Sequence, residues 1–138
     1  MHPVTSAKTA GITGFESPAT EYTQPSLDLN ALLIEHPSAT YFGLAEGDAM
    51  RDAGIFNGDI LIVSRAVQPA QGEVIVANHN GEFICRFFNI AERRLEAANA
   101  TVQAIVIASE DVFEIEGVVI RSVRMHRQLK DTFYVRPG

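Results

Sequence analysis

Polar and small residues fill positions 1 to about 26; past Met1, the large apolar side chains there are Val4, Ile12, Phe15 and Tyr22. A stretch this poor in apolar groups cannot bury enough surface to fold alone, so it is expected to be a flexible N-terminal arm. The pattern then changes. Asp28 has the chemistry of a helix N-cap, Leu29, Leu32 and Leu33 follow at helical spacing, and His36-Pro37 ends the run. From Thr40 onward short apolar segments alternate with turn residues. Asn57-Gly58-Asp59 precedes the apolar run Ile60 to Val63, and Gln68-Pro69-Ala70-Gln71-Gly72 precedes Glu73 to Ala77. Asn80-Gly81 is a hairpin signal, because both central residues of that turn type need positive φ. It joins Val74–Ala77 to Phe83–Phe88. Further strands are expected near Leu95, at Gln103 to Ile107 and from Phe113 to Val123. Short strands at this spacing predict a mostly β barrel or sandwich with one short N-terminal helix.

Composition narrows the picture. The chain has 138 residues, 46% apolar and 20% charged, which suits one folded domain over residues 27–124. A net charge of -6 argues against a general nucleic-acid-binding surface. The basic residues Arg121, Arg124, Arg127, Lys130 and Arg136 gather at the end, where residues 125–138 read as a solvated basic tail. The single cysteine, Cys85, cannot form an internal disulfide. No apolar run reaches the roughly 20 residues of a membrane helix, and the start lacks a signal-peptide pattern. A cytoplasmic protein is expected. The four histidines share no metal-ligand spacing, so neither metal nor cofactor is expected.

The chain from Tyr41 to Phe88 carries the distinctive chemistry. It opens with Tyr41-Phe42-Gly43-Leu44-Ala45-Glu46-Gly47-Asp48-Ala49-Met50 and closes with Gly81-Glu82-Phe83-Ile84-Cys85-Arg86-Phe87. Period-two alternation puts Ile84, Arg86 and Phe88 on one face of the closing strand, and Phe83, Cys85 and Phe87 on the other. Cys85 reads as a small buried hydrophobe.

These segments resemble the catalytic core of the LexA and UmuD family of self-cleaving serine peptidases. Leu27 to Phe42 is close to UmuD throughout, Gly14 to Tyr22 resembles the segment just after its cleavage point, and Glu116-Gly117-Val118-Val119-Ile120 matches the family's closing strand. The resemblance implies a β-clip or barrel-like peptidase domain. It makes Gly47, Asp48 and Met50 the frame of the site, Ala49 the nucleophile position and Arg86 the base position, where the family carries Ser and Lys. It puts the scissile bond at Thr13-Gly14; Ala10-Gly11, with a small residue before the glycine, is the alternative.

Alanine has no hydroxyl to attack with, and arginine stays protonated and cannot take a proton. Lys8 and Lys130 are the chain's two lysines, and neither falls within the β core. Ser38 and Ser64 are the nearest hydroxyls in sequence, off the motif position. The enzyme fold is therefore expected to be inactive in this sequence. Arg86, if buried, needs a partner. Two expectations stand side by side: an ion pair with Glu46 or Asp48, or backbone hydrogen bonds, locking the site; and a stem packed on the strand with its head in water.

The resemblance further implies a homodimer, stimulation by a RecA filament, and partnership with a UmuC-like Y-family DNA polymerase in SOS translesion synthesis. An active UmuD- or LexA-like paralogue could cut the arm in trans. Direct sequence-specific DNA binding is not expected, nor is a membrane partner. Two other readings stay open. One is an autopeptidase held uncut by an engineered Ala49; the other is a repressor-partner or antirepressor domain pairing with LexA-like chains.

Overall fold

The computed structural model describes residues 28–127. The arm at 1–26, both cut positions (Thr13-Gly14 and Ala10-Gly11) and residues 128–138 of the basic tail lie outside them. The chain divides into two units, Met1–Leu32 and Leu33–Gly138. The first contributes the start of α1 (Leu29–Leu33). Asp28 caps it as its position predicts, its Oδ1 accepting the Asn30 N–H at 3.0 Å and the Ala31 N–H at 3.3 Å. The helix is only five residues long. In the second unit His36-Pro37 is more than a stop: Pro37–Ala39 starts a 3-10 turn, a setting that suits proline's fixed φ.

That unit is a single antiparallel sheet. Its strands are β1 (Thr40–Leu44), β2 (Ile60–Ser64), β3 (Val74–His79), β4 (Glu82–Asn89), β5 (Arg94–Glu96), β6 (Ile105–Val106) and β7 (Phe113–Val123). Their spatial order is β1-β2-β7-β3-β4-β5-β6. The fold is mostly β with a short N-terminal helix, as the sequence predicts. Asn80 and Gly81 turn the β3–β4 hairpin with φ of 53° and 91°. Among the described residues the strands form one sheet, with β1 and β6 at opposite ends of the strand order.

β7, the last strand, inserts between β2 and β3 and holds the sheet together. It pairs with both through irregular register, with one shift between Ile62 and Val63 and another between Val76 and Ala77. Such bulges bend a strand and increase its twist. Gly117 sits at this bend. A Cβ there would lie 2.6 Å from Val63 Cγ1 and 2.8 Å from the Ser64 carbonyl oxygen, so only glycine lets β7 approach β2 this closely.

Two apolar clusters form. Ile75, Ala77, Phe88, Leu95, Ile107 and Val118 make the first, with Ile84 packed against it. Ala45, Met50, Ile55, Leu61 and Val63 make the second, with Val76, Cys85 and Phe87 packed against it. β4 thus contributes to both, as strand alternation requires.

The basic end of the chain needs a correction. Arg121 and Arg124 are paired, though both side chains stay partly exposed: Arg121 pairs with Glu35 at 3.2 Å, and Arg124 grips Asp59 through Nε at 2.9 Å and Nη2 at 3.0 Å. Asp59 is only 1% exposed, and its Oδ2 also accepts the Phe56 N–H at 2.8 Å. The guanidinium lies over the Phe56 ring and bonds the Gly54 carbonyl as well. These bonds lower the Asp59 pKa against the opposing effect of burial.

Candidate functional site

The segment after β1 is pinned rather than loose. Gly47 has φ of 81°, a conformation that favours glycine, and its N–H donates to Asn57 Oδ1 at 2.8 Å. Asn99 Nδ2 donates to the Asp48 carbonyl at 2.9 Å. The Ala98 N–H donates to the Ala49 carbonyl at 2.8 Å, and the Asp52 N–H to the Ala98 carbonyl at 2.8 Å. Met50 is buried in the second cluster. Asp48 and Ala49 are therefore tied to a loop about fifty residues downstream in the chain, while Asn57 holds Gly47 and burial holds Met50.

Asn99 was not a candidate from the sequence, yet it is 5% exposed and organises that loop. Its Oδ1 accepts the Thr101 N–H at 3.0 Å and the Thr101 hydroxyl at 2.8 Å. The available signal was a lone amide between small residues in Ala97-Ala98-Asn99-Ala100-Thr101.

Ala49 and Arg86 line one cleft of about 830 Å³, together with Glu82 to Cys85 of β4 and part of β1. The two positions singled out from the sequence thus share a cavity. Among the described residues lining it there is no Ser, Thr, Lys or His. Ser38 lies in the 3-10 turn. Ser64 is 1% exposed and its Oγ accepts the Ala66 N–H at 3.1 Å, a local turn bond. Tyr41 brings a hydroxyl to the cleft, but that group donates to the Glu116 carbonyl at 3.0 Å, and burial raises its pKa.

Arg86 does not pair with Glu46 or Asp48. Its Nη1 donates to the Cys85 carbonyl at 2.9 Å, and its Nε is buried without a partner among the described residues. The Asp48 carboxylate lies 4.0 Å from Arg51 instead, with its side chain 70% exposed. Of the two bonding schemes expected for Arg86, the backbone one is present, on its own strand. The physical reason is strand alternation: the register opposes Arg86 to Ile75 and Cys85 to Val76, so the arginine leaves β4 on the face away from the Met50 cluster. Cys85 faces that cluster, and burial pushes its thiol up to about 11 despite the neighbouring Arg86 charge.

Comparison with known proteins decides the family. The Peptidase S24-like family model matches residues 3–120. The chain belongs to that family. It is a UmuD-like member of the S24 group, with Ala49 and Arg86 in the shared cleft. The S24 chain is 37% identical to Protein ImpA of Salmonella typhimurium over 118 residues, 85% of this chain and 81% of that one. It is 35% identical to Protein MucA of Escherichia coli over 115 residues, 82% of this chain and 79% of the relative. It is 32% identical to LexA repressor 2 of Xanthomonas axonopodis pv. citri over 93 residues, 66% of this chain but 44% of the repressor.

Proposed function

We propose that this chain is a UmuD-like accessory protein of SOS mutagenesis that does not cut itself. It acts as a homodimer in the cytoplasm, joins a UmuC-like Y-family polymerase, and responds to a RecA filament through its arm. The observation that carries the reading is the cleft that holds Ala49 and Arg86 together without a Ser, Thr, Lys or His among the described residues of its lining. An Ala side chain forms no acyl bond. A guanidinium gives up no proton at physiological pH. What remains is a peptidase frame with a pinned Gly47–Met50 segment and, among the described lining residues, no lysine amine to act as the dyad base. The likeness to ImpA and MucA over most of their lengths supports the same class of role.

The test is intact mass after incubation at alkaline pH, alone and with a RecA filament. The chain is expected to stay whole, while Ala49→Ser combined with Arg86→Lys is expected to cut at Thr13-Gly14 or Ala10-Gly11. Self-cleavage of the unmodified chain would overturn the assignment of both positions. Binding to a UmuC-like polymerase, measured beside a LexA-like chain, separates the accessory role from a repressor-partner role.

A further inference from the structure

β4 is paired on both sides for only part of its length. β3 covers one side from Glu82 to Phe87, while β5 covers the other only from Phe87 to Asn89. Bond direction along the open stretch follows from antiparallel alternation. The Phe88 N–H donates to the Glu73 carbonyl at 2.8 Å, so Phe88 faces inward, toward the β3 side. Glu82, Ile84 and Arg86 share its parity and therefore bond inward too, opposite His79, Ala77 and Ile75. Phe83 and Cys85 point their N–H and carbonyl groups the other way, onto the edge that no described strand covers.

An edge of this kind accepts a further strand unless a side chain stands on it. Here Nη1 of Arg86 donates to the Cys85 carbonyl at 2.9 Å. That carbonyl is an outward acceptor of the open edge, so the guanidinium stands where an incoming strand would bring an N–H. Glu46, Asp48, Glu82 and Glu116 line the same cleft, yet the Arg86 bond goes to its own strand. A charged donor makes a stronger hydrogen bond than a backbone amide does, so a neutral strand displaces it poorly. Charged side chains on exposed edges are a general protection against unwanted pairing.

We propose that Arg86 is an edge guard: bonded to the outward Cys85 carbonyl, it keeps the open edge of β4 closed to a further strand, the chain's own arm included. Arginine at this position thus has a role of its own, beyond its inability to act as a base. The guard acts on docking and not on bond breaking. Ala49 is kept in every sample of the test, so a failed guard leaves the reading of a chain that does not cut itself standing.

Amide hydrogen exchange, resolved by NMR on the full chain, reads the edge residue by residue. Ile84 and Arg86 are the internal controls, since their N–H groups are bonded to β3. In the unmodified chain, Phe83 and Cys85 are expected to exchange at the same rate with and without saturating arm peptide (residues 5–22) added in trans. In Arg86→Met the edge is open. Phe83 and Cys85 are then expected to slow by about tenfold, the scale of one charge-assisted hydrogen bond, through the tethered arm or the added peptide. Slowing at Phe83 and Cys85 when peptide meets the unmodified chain overturns the proposal. So does exchange in a folded Arg86→Met chain that matches the unmodified chain with peptide present. Arg86→Gln, which keeps a polar head without the charge, supplies the same comparison if Arg86→Met does not fold.

Discussion

Replacing Gly117 by alanine adds one methyl group at the most crowded backbone position of the sheet. The new Cβ would lie 2.6 Å from Val63 Cγ1, 2.8 Å from the Ser64 carbonyl oxygen and 3.2 Å from its carbon. Ordinary carbon contacts lie at roughly 3.5–4.0 Å, so the neighbours must retreat by about 1 Å. Val63 is 0% exposed and has no solvent side to turn toward. The Ser64 carbonyl belongs to β2, which is paired with β1 on one side and β7 on the other, so it moves only with the sheet. Overpacking costs about 1–3 kcal/mol, and a backbone obstacle puts this site at the upper end. Relief of glycine's unfolded-chain entropy returns at most about 1 kcal/mol. The net expectation is a loss of about 2 kcal/mol, or a fall in Tm of roughly 8 °C for a domain of this size. Gly43 supplies the control: it lies in β1, has nothing within 4 Å of its Cβ position, and Gly43→Ala is expected to be neutral or slightly stabilising. Urea and thermal melts of the two variants measure the contrast. If Gly117→Ala melts with or above the parent, the close β7–β2 approach is not a constraint on the fold and the argument fails.

Three further outcomes follow from the same geometry. Asn99→Ala removes the bond to the Asp48 carbonyl and the two from Thr101; a loss of about 1–3 kcal/mol is expected, with faster hydrogen exchange at Gly47 to Asp52, and unchanged exchange there would sink the pinning role. Asp111 accepts bonds from His79, Asn80 and the Ala108 N–H, which lower its pKa from 3.8 to about 2. A depressed folded-state pKa gives stability that is present above 3.8 and lost as pH falls through about 2, so the gap between parent and Asp111→Asn in urea melts is expected to close across that window; a pH-independent gap contradicts it. The Cys85 thiol, pushed up to about 11, is expected to react negligibly with a disulfide reagent at pH 8 when folded and rapidly in urea; fast labelling of the folded chain would show that the thiol is not held in the second cluster.

Local pattern carried much of the fold. Asp28 caps α1, Asn80-Gly81 turns the hairpin, and β7 spans Phe113–Val123 as expected. These features were legible because each depends on neighbours within a few residues. The strand expected at Gln103 to Ile107 proved shorter, Ile105–Val106, because among the described residues it pairs with the three-residue β5 alone. Ala49 and Arg86, proposed as the nucleophile and base positions, were also readable as residue types in a motif, and that they bring neither a hydroxyl nor a neutralisable amine needs no coordinates.

What the sequence determined by itself was the set of strands, the hairpin and the residue types Ala and Arg at two motif positions, because period and residue type are local properties. Tertiary structure alone decided the partners of the charges. Arg86 turns to the Cys85 carbonyl instead of Glu46 or Asp48, Arg124 leaves the apparent basic tail to grip Asp59, and Asn99 ties down the Gly47–Met50 segment. Each depends on groups brought together by strand order. The insertion of β7 between β2 and β3, at a bend only glycine permits, is not encoded in any short window of the chain.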